Sequence, residues 1–124
     1  MKVAITIYPD PGSEGALGRC FTAMANAHEF QQKGDEVIVI FGGTGVRWPA
    51  VLSSSEHPAH DLYTAIKPIV KGACSSCSVV FGAEKSVQDA GIDLIGGISV
   101  PNGAGSGLPS MRKLISEGYT ILNY

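Results

Sequence analysis

The chain has 124 residues, 44% hydrophobic and 16% charged, with 16 Gly, 7 Pro and a formal net charge of -2. That size and mix fit one folded domain and exclude a disordered or collagen-like chain. The near-balanced charge has no basic run to track a phosphate backbone, which excludes nucleic acid as a natural partner, and the longest apolar run, Val37 to Phe41, is far short of the ~20 residues that span a bilayer.

Residues 2 to 8 are β-branched and mostly apolar without alternation, the pattern of a strand covered on both faces, and Pro9 and Pro11 stop it. From Ser13 the period changes. Leu17, Cys20, Phe21, Met24, Ala27 and Phe30 recur at helical spacing, with Ser13 as N-cap and Gly34 as terminator. Val37 to Phe41 predicts a second buried strand, followed by the loop Gly42-Gly-Thr-Gly-Val-Arg-Trp-Pro49. Asp61 to Lys67 reads as a helix with Leu62, Ala65 and Ile66 inward, ended by Pro68. Residues 69 to 74 follow as a third strand.

Ser75 to Ala90 predicts a helix with Cys77, Val80, Phe81 and Val87 on its apolar side, or two short helices broken at Gly82. Gly91 to Gly96 is a brief apolar segment, and Pro101 to Pro109 a glycine-rich loop. Ser110 caps a helix carrying Met111, Leu114 and Ile115, Gly118 ends it, and Tyr119 to Leu122 is the last strand. The alternation predicts a single domain over residues 1–124, a three-layer α/β/α sandwich around a mostly parallel sheet of about five strands. In such sheets ligands bind beyond the carboxyl ends of the strands, where the loops starting at Pro9, Gly42, Cys74 and Gly96 meet.

Cys74-Ser-Ser-Cys77 lies in that zone, with one thiol at a strand end and the other in the first turn of the next helix, where unpaired N–H groups favour an anion. A thiolate attacks sulfur electrophiles, and a second thiol one turn away resolves the product as an internal disulfide. The plain alternative is two small hydrophobes packed in a junction. The two serines between the thiols separate the motif from thioredoxin-type oxidoreductases. Three cysteines, an odd number, do not make a disulfide scaffold. Met1 and Lys2 enter the first strand without a signal-peptide cleavage site, so a cytoplasmic, reducing setting is expected.

His57-Pro-Ala-His60 adds two imidazoles to the two thiols, the ligand types of a tetrahedral zinc site although not with finger spacing. The capping of a helix or the rim of a polar pocket is the alternative for both histidines. Gly42 to Gly45 matches neither a Walker motif nor a dinucleotide fingerprint, and Asn102 to Gly107 is a glycine-rich stretch before a helix that is able to cradle an anion. Tyr8, Gly43, Thr44, Trp48, His57 and His60 are the residues expected to line a substrate cleft.

Taken in order, several of these segments resemble the DsrE-like family of small sulfur-relay and related proteins. They are Gly18-Arg-Cys-Phe-Thr-Ala23, Gly34-Asp-Glu-Val37, Phe41-Gly-Gly-Thr-Gly-Val-Arg-Trp48, His57-Pro-Ala-His60, Gly72-Ala-Cys-Ser-Ser-Cys77 with Phe81-Gly82, Pro109-Ser-Met-Arg-Lys-Leu114 and Gly118-Tyr-Thr-Ile-Leu122. The resemblance implies a five-stranded α/β/α sandwich assembled into homotrimers or hexamers, and no cofactor. It also implies a persulfide carried at Cys74 between donor and acceptor proteins, while Cys77 matches a second cysteine of some branches. Leu108 stands where a histidine often precedes the Pro-Ser pair. The expected function is therefore sulfur carriage or thiol redox chemistry at Cys74 and Cys77. The alternatives are a non-catalytic oligomeric small-molecule-binding protein or a Cys/His metal-binding protein.

Overall fold

The computed structural model describes residues 1–101 and 103–124. Five strands, β1 (Lys2–Ile7), β2 (Glu36–Phe41), β3 (Val70–Cys74), β4 (Leu94–Ile95) and β5 (Thr120–Asn123), form one sheet in the order β4-β3-β2-β1-β5, with every pairing parallel. The α/β fold expected from the alternating pattern is thus the observed one. Among the described residues no helix is long and apolar enough to cross a membrane.

Helix α1 (Glu14–Gln32) joins β1 to β2. Its start is set by Ser13, whose side chain accepts from the Ala16 N–H at 3.1 Å, and the chain turns away at Gly34 with φ +79°. The buried stripe is Ala16, Cys20, Ala23, Met24 and Ala27, lying on Val3, Ile5 and Ile7 of β1 and Val37, Val39 and Phe41 of β2. Phe21, expected on that stripe, is 46% exposed, and the smaller Ala23 takes the inward place. An alanine there lets the helix lie close to the sheet.

The predicted loop 42–49 is more ordered than expected: residues 43–47 wind into a 3-10 turn that runs into α2 (Trp48–Leu52), and Pro49 fits because a proline is tolerated in a helix's first turn. Helix α3 (His60–Ile66) buries Tyr63 and Ile66, while Ala65 faces out. Gly82, at φ +67°, splits the next helical stretch into α4 (Ser75–Val80) and α5 (Glu84–Asp89). Val80 and Phe81, expected inside, are 65% and 37% exposed. Helix α6 (Met111–Ser116) is capped by Ser110 as predicted, and Leu114 faces inward while Ile115 is exposed.

The three layers are unequal. From β1 to β4 each connection steps outward in the same direction, and right-handed crossovers then place α1, α2, α3 and α5 on one face. The final connection reverses to reach β5 beside β1, so α6 lies on the opposite face, where it packs Leu114 on Ala4 and Ile40 with Ile38, Ile95 and Ile121 around them.

Two substitutions test the α1 assignment. Ser13→Ala should cost about 1 kcal/mol through the lost cap, and Met24→Ala about 2–5 kcal/mol through the cavity it leaves. Urea denaturation followed by circular dichroism reads both values.

Candidate functional site

The carboxyl ends of β1, β2, β3 and β4 bring together the segments after Ile7, Phe41, Cys74 and Ile95, as the topology requires. Cys74 is both the last residue of β3 and the N-cap of α4. Its sulfur accepts from the Cys77 N–H at 3.3 Å, and the Ser78 hydroxyl donates to the Cys74 carbonyl at 2.7 Å.

Cys74 is 1% exposed and Cys77 is half-buried. The expectation of a readily ionised thiol at the strand tip is therefore corrected for Cys74. Burial pushes its thiol up to about 12 and a side-chain hydrogen bond with Cys77 adds to the rise, while the backbone N–H groups of Cys77 and Ser76 only partly oppose them. Desolvation outweighs these N–H groups because the sulfur is almost wholly enclosed. Cys20 is fully buried inside the core, where burial likewise pushes its thiol up to about 12.

Cys74 belongs to the apolar core cluster, and main chain covers it on the loop side. The Gly107 carbonyl oxygen lies 4.0 Å from its sulfur and accepts from the Ser76 N–H at 3.1 Å. The Ser75 hydroxyl accepts from the Ser106 N–H at 3.0 Å, and the Ser76 hydroxyl donates to the Ala104 carbonyl. A Cβ at Gly105 would stand 2.6 Å from the Ser75 hydroxyl oxygen, so only glycine lets the backbone lie this close. These serines and their loop partners are the part of the site that residue chemistry missed. The small side chains at 75, 76 and 103–107 were its only signal. The anion-cradling reading of 102–107 includes Asn102, which lies outside the described residues; the Ser106 N–H and the Gly107 carbonyl are committed to the cysteine junction.

The predicted cleft divides. Trp48 and His57 pack edge to face, with centroids 6.3 Å apart, and line a cleft of about 510 Å³ with Pro11, Ser13, Leu17 and Val51. Trp48 is nevertheless a buried tie, its indole N–H donating to the Pro9 carbonyl at 2.7 Å. Tyr8, Gly43, Thr44 and His60 do not line that cleft. Tyr8 covers Gly42, where a Cβ would come within 2.6 Å of its ring, and a Cβ on Gly45 would press into the Ile7 carbonyl. Those glycines serve close packing of the β1 and β2 loops.

The histidines have local duties. His57 Nδ1 accepts from the Ala59 N–H at 3.0 Å, and His60 Nδ1 lies 2.8 Å from the Leu52 carbonyl oxygen, joining α3 to α2. Among the described residues no three His, Cys, Asp or Glu side chains gather in a way that could hold a metal ion. The alternative of a metal site built from His57, His60, Cys74 and Cys77 finds no such grouping here: hydrogen bonds within the α2–α3 connection hold the imidazoles. A further residue of this edge is Arg47, which pairs with Asp10 at 2.8 Å, donates to the Phe81 carbonyl at 3.2 Å and stacks 5.7 Å from the Phe81 ring centroid. It joins the loops after β1, β2 and α4.

No protein-family model matches the chain, and no solved structure matches it. An uncharacterised protein of Methanocaldococcus jannaschii is 28% identical over 96 residues, covering 77% of this chain and 72% of the relative. That similarity extends over most of both chains and carries no stated activity.

The raised thiols make a pH prediction. An acid whose folded pKa lies above its unfolded value contributes stability that is fully present below the unfolded pKa and is lost as pH rises. Cys20 and Cys74, moved from 9.0 to about 12, should therefore lower stability between about pH 9 and 12. The slope approaches about 1.4 kcal/mol per pH unit for each thiol. Urea midpoints measured from pH 8 to 11 should fall, and should fall less steeply in Cys20→Ala/Cys74→Ala.

Proposed function

We propose that the protein is a DsrE-like sulfur carrier whose reacting centre is the Cys74–Cys77 pair, with sulfur entering at Cys77. The observation that carries this reading is the asymmetry of the pair: one enclosed thiol, one half-buried thiol, and a backbone N–H linking them at 3.3 Å. Val80, three residues beyond Cys77 at the end of α4, and Phe81, the residue that caps it, are exposed. An apolar rim beside a reachable thiol suits a docked donor protein.

The chemistry balances with two thiols. Cys77, having given its proton to solvent, attacks the outer sulfur of a donor persulfide; a Cys77 S–S bond forms, the donor S–S bond breaks, and the donor leaves as a thiolate. Delivery to an acceptor thiolate reverses the same exchange. Discharge within the pair follows when deprotonated Cys74 attacks the Cys77 sulfur, forming the internal disulfide and expelling hydrosulfide. The sulfane sulfur gains the two electrons that the dithiol loses, and an external dithiol reductant restores the pair. The same reading places the protein in a reducing cytoplasm as a homo-oligomer with donor and acceptor proteins.

Incubation with a small-molecule persulfide donor, followed by intact-mass analysis, tests this. One added sulfur is expected on the wild type and on Cys74→Ala, with hydrosulfide release lost in Cys74→Ala and sulfur uptake lost in Cys77→Ala. Uptake that survives in Cys77→Ala, or no uptake by any form, overturns the proposal.

A further inference from the structure

The two residues between the thiols do something that their position in the pair does not require. Ser75 and Ser76 are 4% and 6% exposed, and both reach the segment 104–107 from the connection between β4 and α6. Three hydrogen bonds join them to it: Ser106 N–H to the Ser75 hydroxyl, Ser76 hydroxyl to the Ala104 carbonyl, and Ser76 N–H to the Gly107 carbonyl. The last of these carbonyls is the group that faces the Cys74 sulfur. On its outer side the segment is exposed at Gly105 and Ser106, and no large side chain anchors it there. Leu108, bridged to Ile98 and packed on the core, anchors the far end of the segment, and over 104–107 its hold on Cys74 rests on polar contacts to two serines and on close backbone approach at Gly105, where a Cβ would meet Ser75.

We infer that Ser75 and Ser76 are positioning residues that hold the 104–107 backbone as a cover over Cys74, so that the pair presents Cys77 first and Cys74 only when the cover lifts. The order of reaction rests on the sulfur-transfer reading above; the cover does not. Local opening of a short surface segment costs less than unfolding the sheet beneath it, so Cys74 becomes reachable without global unfolding. While the cover is closed, a docked donor or acceptor protein meets Cys77 and not Cys74.

Alkylation separates the cover from the chemistry. In full-length Cys77→Ala treated with iodoacetamide at pH 8, peptide mass spectrometry follows Cys74, while Cys20 in the same sample reports unfolding of the core. Adding Ser75→Ala and Ser76→Ala should speed Cys74 labelling by about tenfold, the order expected when one or two protein hydrogen bonds are lost, and leave Cys20 unchanged. Ser76→Thr, which keeps the hydroxyl, should restore slow labelling. In the unsubstituted protein, the Ser76 and Ser106 amides should exchange with deuterium faster than those of Ala4 and Val39 in the sheet.

The inference is overturned by any of four results. Cys74 labels in Cys77→Ala as fast as in the urea-unfolded chain; the serine changes leave its rate unaltered; Cys20 accelerates in step with it; or the Ser76 and Ser106 amides are as protected as the sheet. Failure of sulfur uptake at Cys77 would remove the proposed function and leave these four readouts untouched.

Discussion

The pairing of β1 with β2 under α1 is the constraint on which the remaining architecture depends. Register from Lys2–Glu36 to Ile7–Phe41 is unbroken, and alternate residues of both strands bury Val3, Ile5, Ile7, Val37, Val39 and Phe41 against one helix stripe. A slip of one residue would turn all six outward. With that register held, the ends of β1 and β2 lie level, and β3, paired to β2 through a shift between Val39 and Ile40, ends with Cys74 beside them. The cysteine junction is thus located by apolar packing that belongs to other elements.

The chemistry of that junction is a contest between two opposing effects. Backbone N–H groups of Cys77 and Ser76 favour a sulfur anion at Cys74, and enclosure disfavours it. Enclosure prevails in the closed arrangement. A lone Cys74 would therefore react slowly, and a lone Cys77 would have no partner to resolve a sulfur adduct. The arrangement makes chemical sense as a pair with one outer and one inner member, which is a different division of labour from the one the family resemblance implies.

Much of the fold was legible in the residues and a smaller part of the site was. The strands and α1 announce themselves because β-branched runs, a capping serine and a terminating glycine act locally: Ser13 and Gly34 do in the structure what their chemistry predicts. The errors arose where tertiary context decides. Phe21, Val80 and Phe81 are apolar and sit at helical spacing, yet they face outward, because spacing gives the period of a face without saying which face the sheet covers. Loop 42–49 hid a 3-10 turn and a helix, since its glycines are required by the close approach of Tyr8 and Ile7 from a distant strand. The two cysteines were visible; their different exposure was not, because Cys74 is closed off by core packing and, on the loop side, by carbonyls and amides of residues some thirty positions away, with no side chain to advertise them.

The route from β4 to β5 has a mechanical meaning. To leave one edge of the sheet and arrive at the other side of β1, this connection traverses four inter-strand steps of about 4.8 Å each. It is moored at one end by the pairing of Ile95 with Cys74 and at the other by α6. An antiparallel bridge between Ile98 and Leu108 ties two of its points together. A segment tethered on both flanks has fewer conformations to lose on docking than a free tail, so its polar contacts have less entropy to overcome.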